Sequence, residues 1–134
     1  MRIKSLTYKN KIYNNPKEIE KILLNNNFNW LNLSEIENAI IEIKNNKIYW
    51  KSGIWYYGDW EYGIWLDGIF KYGNFKGGVW LNGLFKNGTF KNAVWMNGTF
   101  ENGTFSGDWR NGTNKNGNFI NESFSLLKFS QFKK

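Results

Sequence analysis

Lys71 and Lys86 lie three pentads apart, and so do Lys76 and Lys91. Cations repeated at a fixed spacing can meet the charges of a phosphate or carboxylate polymer, releasing a counterion at each contact. Tyr57, Tyr62 and Tyr72 stand among them. A tyrosine offers a flat apolar ring and a hydroxyl, which suits stacking on a sugar, a base or a protein side chain. A third set is apolar. Ile64, Leu66, Val79, Leu81, Val94 and Met96 sit immediately before or after successive tryptophans. On an outer surface they form a greasy stripe of the kind that marks an interface.

Other chemistry is excluded by composition. The 134 residues include no histidine and no cysteine, which removes imidazole and thiolate metal sites, disulfides and the usual nucleophile–base pairs. Asp59, Glu61, Asp67, Glu101 and Asp108 recur at no spacing that suits acid–base work or a hard cation. No catalytic residue, cofactor or metal is expected. The net charge of +7 is spread along the chain with no basic tail, so nucleic acid is the less favoured partner. The lysines also have a plain reading as solvated residues that keep a strand-rich surface from aggregating.

The elements that place these residues follow from a repeat. From Trp50 onwards an aromatic arrives every five residues, usually with glycine two positions earlier. Grouped in threes, the pentads give columns. The first is Trp50, Trp65, Trp80, Trp95 and Trp109, provided one residue is deleted after Ser106. The second is Trp55, Phe70, Phe85, Phe100 and Asn114, and the third Trp60, Phe75, Phe90, Phe105 and Phe119. Grouping in fours, which corresponds to a four-sided coil of four pentads, mixes Trp with Phe. The period of fifteen is therefore preferred, and internal repeats outrank local readings.

A mainly β fold with this repeat is a β-solenoid whose coil has three short sides, each coil pairing with the next at strand spacing. The aromatics point inwards and stack. The glycine two positions before each leaves room for the ring and supplies corner dihedrals. Asn-Gly normally marks a hairpin turn, but turns five residues apart leave strands too short for hairpins. Corners of a coil fit the spacing. Ala93 replaces the usual glycine, so its corner should not need a left-handed residue at that position.

Three segments are expected. Residues 1–35 form an N-terminal cap: a hairpin turning near Lys9-Asn10, then a helix over 15–24 with Asn15 as N-cap and Pro16 in its first turn. Residues 36–124 form the solenoid; "ENAII" (37–41) echoes "KNAVW" (91–95), so 34–43 reads as a strand that starts the stack early. Residues 125–134 form a C-terminal cap, "FSLLKFSQF" having lost the glycines. Caps are needed because open coil ends expose unpaired strand edges. The apolar stripe has a competing reading, in which the helix folds back over it through Ile19, Ile22 and Leu23.

The pentad with a large inward residue and a small one two positions before it resembles the pentapeptide-repeat proteins over residues 36–124. The resemblance implies a right-handed, four-sided β-helix that binds proteins, in some members by acidic DNA mimicry. This chain departs from the pattern with Trp/Phe centres, Gly as the small residue, a period of fifteen and a positive charge. The Trp/Phe-x-Asn-Gly-Thr phrasing also resembles repeats of phage proteins. Asn, Lys and Ile make up 51 residues, which fits an A/T-rich genome. The N-terminus is too polar for a signal peptide and no apolar run reaches the ~18 residues of a span. A cytoplasmic location, in a host or virion, and no membrane contact are expected. The expected function is a non-enzymatic scaffold or protein-binding module, with a protein partner or a second copy on the apolar stripe. The alternative is polyanion or glycan binding through the lysines and tyrosines.

Overall fold

The computed structural model describes residues 1–120. The expected C-terminal cap lies outside the described residues. The chain opens with β1 (Ile3–Tyr8) and β2 (Lys11–Tyr13), an antiparallel hairpin. It turns through Lys9 and Asn10, at φ 51° and 63°. Two positive φ values in succession match the twist of a two-residue hairpin. Helix α1 (Pro16–Asn25) follows, with Asn15 Oδ1 accepting from the backbone N–H of Lys17 at 3.0 Å and of Glu18 at 3.1 Å. The asparagine run ends it, Asn26 at the C-cap and Asn27 left-handed at φ 66°. A short helix, α2 (Asn29–Asn32), was not legible in the sequence. The Arg2 guanidinium braces its end, donating to Leu31 O at 2.7 Å and Ser34 O at 2.8 Å. Burial lowers the Arg2 pKa, and nearby Glu20 partly offsets that shift.

Strand β3 (Glu35–Lys44) is a strand, as its sequence suggests, but it does not open the stack. It runs antiparallel to β4 (Lys47–Tyr57), reached through left-handed Asn45 and Asn46. It also pairs in parallel with β1. The echo between "ENAII" and "KNAVW" is local instead: Asn38 and Asn92 both adopt φ 54°, and Ala39 and Ala93 behind them are buried.

The solenoid starts at β4 and continues through β5 (Asp59–Trp60), β6 (Ile64–Trp65), β7 (Ile69–Phe70), β8 (Asn74–Phe75), β9 (Gly78–Trp80), β10 (Leu84–Phe85), β11 (Thr89–Trp95), β12 (Thr99–Trp109) and β13 (Thr113–Phe119). Every solenoid pairing is parallel. Trp50 opposes Trp65, Trp65 opposes Trp80, and Trp80 opposes Trp95, so a coil closes after three pentads. About five coils are stacked. The four-sided coil implied by the pentapeptide-repeat resemblance is not the one adopted.

Side one carries the tryptophan column. Its rings stack at 4.8 Å (Trp50–Trp65), 4.8 Å (Trp65–Trp80) and 4.9 Å (Trp80–Trp95), with interplanar angles of 6–8°. Side two holds Trp55, Phe70, Phe85 and Phe100, and side three holds Trp60, Phe75, Phe90, Phe105 and Phe119. Rings meet edge-on between sides, as in Trp80–Phe85 at 5.9 Å and 72°. Stacking along the axis and edge contacts across it use both favourable aromatic geometries. The indole N–H groups of Trp50, Trp60, Trp65, Trp80 and Trp95 have no acceptor among the described residues. Each such group costs about 1–3 kcal/mol, so tryptophan serves here through volume and ring area.

The glycines make room for rings, as at Gly107 against Phe90 and Gly117 against Phe100, and they do more. A Cβ built on Gly88, whose φ is 120°, falls against the carbonyl oxygen of Gly73 one coil earlier. That same oxygen accepts from Thr89 N at 2.9 Å. Corner glycines therefore let successive coils approach at hydrogen-bonding distance. The preceding Asn fixes the turn: the Oδ1 atoms of Asn87, Asn97 and Asn102 accept from the N–H of Gly88, Gly98 and Gly103 at 2.8–2.9 Å. At Ala93 the left-handed residue moves back to Asn92, so an alanine fits. One coil on, Asn92 and Ala93 together face Gly107, and the deletion after Ser106 is absorbed as a bulge between β11 and β12.

The start of the solenoid is plugged. Trp30 of α2 lies 5.1 Å from Trp60 and 6.4 Å from Trp55, with Phe28 packed edge-on behind it. Ile36, Ala39 and Ile41 of β3 are buried under the first coil. Helix α1 contacts α2 and β1 through buried Ile19 and Leu23.

Candidate functional site

Alternation along each short strand sends the residues on either side of an inward aromatic outwards. Three outer faces result. On side one the column before each tryptophan reads Tyr49, Ile64, Val79, Val94, Asp108. The column after it reads Lys51, Leu66, Leu81, Met96, Arg110, set by the N–H of Leu66, Leu81, Met96 and Arg110 donating to Trp50, Trp65, Trp80 and Trp95 carbonyls at 2.7–2.8 Å. The structure therefore brings Ile64, Leu66, Val79, Leu81, Val94 and Met96 together as one outward stripe, and Met96 is 40% exposed. The reading in which α1 covers this stripe is corrected: Ile19, Ile22 and Leu23 pack into the core at the N-terminal end, where α1 contacts α2 and β1.

Each end of the stripe bears an ion pair. At the far end Arg110 donates to Asp108 Oδ2 through Nε at 2.9 Å and Nη2 at 2.6 Å. At the start Lys51 Nζ lies 2.8 Å from Glu42 Oε1, and Glu42 pairs with Tyr49 across β3 and β4. Sequence reasoning set Asp108 aside among the scattered acids and missed Glu42, Lys51 and Arg110. The signal was available for Lys51, Asp108 and Arg110, which extend the two columns by one row. Glu42 needed the antiparallel register of β3.

The lysines are divided between sides two and three. On side two, Tyr56, Lys71, Lys86, Glu101 and Lys115 form one column, and Lys71 Nζ sits 4.9 Å above the Tyr56 ring. The Tyr56 hydroxyl donates to Glu37 Oε1 at 2.8 Å, and this bond raises the phenol pKa. On side three Lys76 lies 3.3 Å from Glu61 Oε2 and 3.9 Å from Asp59 Oδ2, so its charge is largely answered within the chain. Lys91 follows Lys76 in that column, next to Ser106. The four cations thus form two short, interrupted rows.

Tyr57 and Tyr72 project from one corner, 57% and 50% exposed, and stack on each other at 5.8 Å and 9°. Each ring covers one face of its neighbour, which leaves edges and hydroxyls for contact. Tyr62 stands apart at the corner leading into side one, beside Gly78, Asn92, Ala93 and Val94.

No family model, no curated protein and no solved structure matches this chain. The functional reading therefore rests on the faces themselves. Among the described residues no group of three or more Asp or Glu could hold a metal ion. No described helix is long and apolar enough to cross a membrane.

Proposed function

We propose that the protein is a rigid β-solenoid scaffold that binds protein through side one. The observation that carries this reading is the stripe of Ile64, Leu66, Val79, Leu81, Val94 and Met96, apolar in both columns and covered by no described element. Sides two and three have apolar residues in one column at most. A contiguous apolar patch rimmed by charges is the usual mark of an interface. The stacked interior supports the scaffold role, because a face built on interlocked rings keeps its shape on binding. The phage-like repeat phrasing and the Asn-, Lys- and Ile-rich composition support a phage or viral structural or host-interaction setting. Polyanion or glycan binding finds less support: Lys76 is ion-paired, and Tyr57 and Tyr72 stack on each other.

Photo-crosslinking tests the reading. A photoreactive residue at position 81 should trap protein in the cells that make the chain, at low and moderate salt alike. The same group at position 89, on side three, should trap little. Equal trapping at both positions, or none at 81, overturns the assignment.

A further inference from the structure

We infer that the occupant of side one is a second copy of this chain, aligned parallel to the first about a two-fold axis that runs along the solenoid. This deepens the proposed function and rests on it. Charge is sorted around the stripe. Acids lie in line with the column before the tryptophans at both ends, Glu42 at the start and Asp108 at the far end. Bases lie in the column after the tryptophans at both ends, Lys51 and Arg110.

Two identical faces can meet in two simple ways. With the two-fold axis along the solenoid, the columns cross over at equal height. Asp108 then faces Arg110 of the second copy, Glu42 comes within one strand of its Lys51, and Val79 faces Leu81. With the axis across the solenoid, each column meets itself upside down. Asp108 then approaches Glu42 and Arg110 approaches Lys51, so like charges oppose at both ends. Like-charge contacts are the device by which interfaces reject a wrong arrangement. The face is self-complementary in the parallel arrangement alone.

Its size sets the strength. Some ~24 Å of stack by one side of a coil gives ~300 Å² per copy, against ~800 Å² per partner in a standard interface. The dimer is therefore weak, since its contact is well below the standard size.

Sedimentation equilibrium of the full chain up to about 1 mM should show a monomer–dimer equilibrium, lost in Leu81→Lys. Asp108→Lys makes the far end all positive, and Arg110→Glu makes it all negative. Each variant alone should dimerise at least ~10-fold more weakly than the parent chain, and an equimolar mixture should recover dimer. In the inverted arrangement the altered ends never meet each other, so mixing restores nothing. Glu42→Lys with Lys51→Glu repeats the swap at the other end, should either far-end variant fail to fold by circular dichroism. Absence of rescue in a mixture of folded variants overturns the parallel arrangement. A parent chain that stays monomeric at the top of that concentration range overturns self-association. If crosslinking from position 81 still captures another protein, the proposed function stands and this inference falls. If crosslinking links position 81 to residues 121–134 of the same chain, both fall.

Discussion

Sides one and three are built on one plan and finished in opposite ways. Each presents a column of inward rings at about one strand spacing, and the rings from Trp50 to Trp109 and from Trp60 to Phe105 are sealed from solvent. Outside, Val79 and Leu81 flank Trp80 on side one, whereas Thr89 and Lys91 flank Phe90 on side three. Backbone, register and interior are shared, so the outer residues are free of folding constraints. Surface substitutions away from special features shift stability by only about 0.5 kcal/mol. An apolar outer face on side one is then not a requirement of the coil. Side three shows that the same coil stands with threonine, asparagine and lysine there.

The largest effects are expected in the interior. Trp80→Ala and Phe90→Ala each remove a fully buried ring from the middle of a stack, and each should cost about 3–5 kcal/mol. Urea unfolding followed by tryptophan fluorescence measures both. Equal costs on the two sides support a shared interior. A cost below ~1 kcal/mol on either side would show that its column is not needed to hold the coil.

Corners come next, and here the sides differ. The corner between sides two and three is regular, with Asn87-Gly88 and Asn102-Gly103 each closed by an Asn oxygen on the glycine N–H. The corner leading from side three into side one varies: Tyr62-Gly63, Gly77-Gly78, Asn92-Ala93, then Gly107 alone. Gly88→Ala places a methyl against the Gly73 carbonyl at a φ of 120°, and should cost about 3 kcal/mol from backbone strain and overpacking together. Asn92→Ala forces alanine into φ 54° and should cost about 1–2 kcal/mol, while Asn92→Gly should be near neutral. Thermal unfolding of the three variants checks the order. Should Asn92→Ala match Gly88→Ala, the dihedral strain that both share outweighs the coil contact that Gly88→Ala adds.

The architecture was legible because its causes are periodic. Rings that stack must recur once per coil, so the all-Trp column revealed a coil of three pentads, one to a side, from the sequence alone. The parts that stayed hidden have no period. α2 is four residues long, with no apolar repeat to announce it, yet its Trp30 plugs the first coil. The direction of β3 depends on Asn45-Asn46 turning with two positive φ values, and Asn pairs occur throughout this sequence. The reason for glycine was legible only in part. Alternation of side chains pointed to the rings, which a Cβ at Gly107 or Gly117 would strike, but at Gly88 the atom in the way is a carbonyl oxygen of the neighbouring coil, which belongs to no side chain. As for the site, the apolar stripe was visible from the repeat, and its charged rim became visible only with the register of β3.

The smallest change in stability is expected on the outside of side three. Lys76 and Lys91 occupy on side three the place that Leu81 and Met96 occupy on side one. Lys76→Leu with Lys91→Leu removes a surface ion pair of the kind worth about 0–1 kcal/mol, so the fold should be nearly as stable as before. The exposed face gains two apolar side chains beside Asn74 and Thr89. Rows that pair leucine with Asn or Thr are less greasy than the Val–Leu rows of side one, so self-association through side three should be detectable by light scattering yet weaker than through side one. In a Leu81→Lys background, where side one is blocked, this new association stands alone and can be measured. If the double lysine variant remains monomeric at every concentration there, apolar content by itself does not make a face adhesive. The charged ends of side one, Glu42 with Lys51 and Asp108 with Arg110, would then be the part of the face that selects its partner.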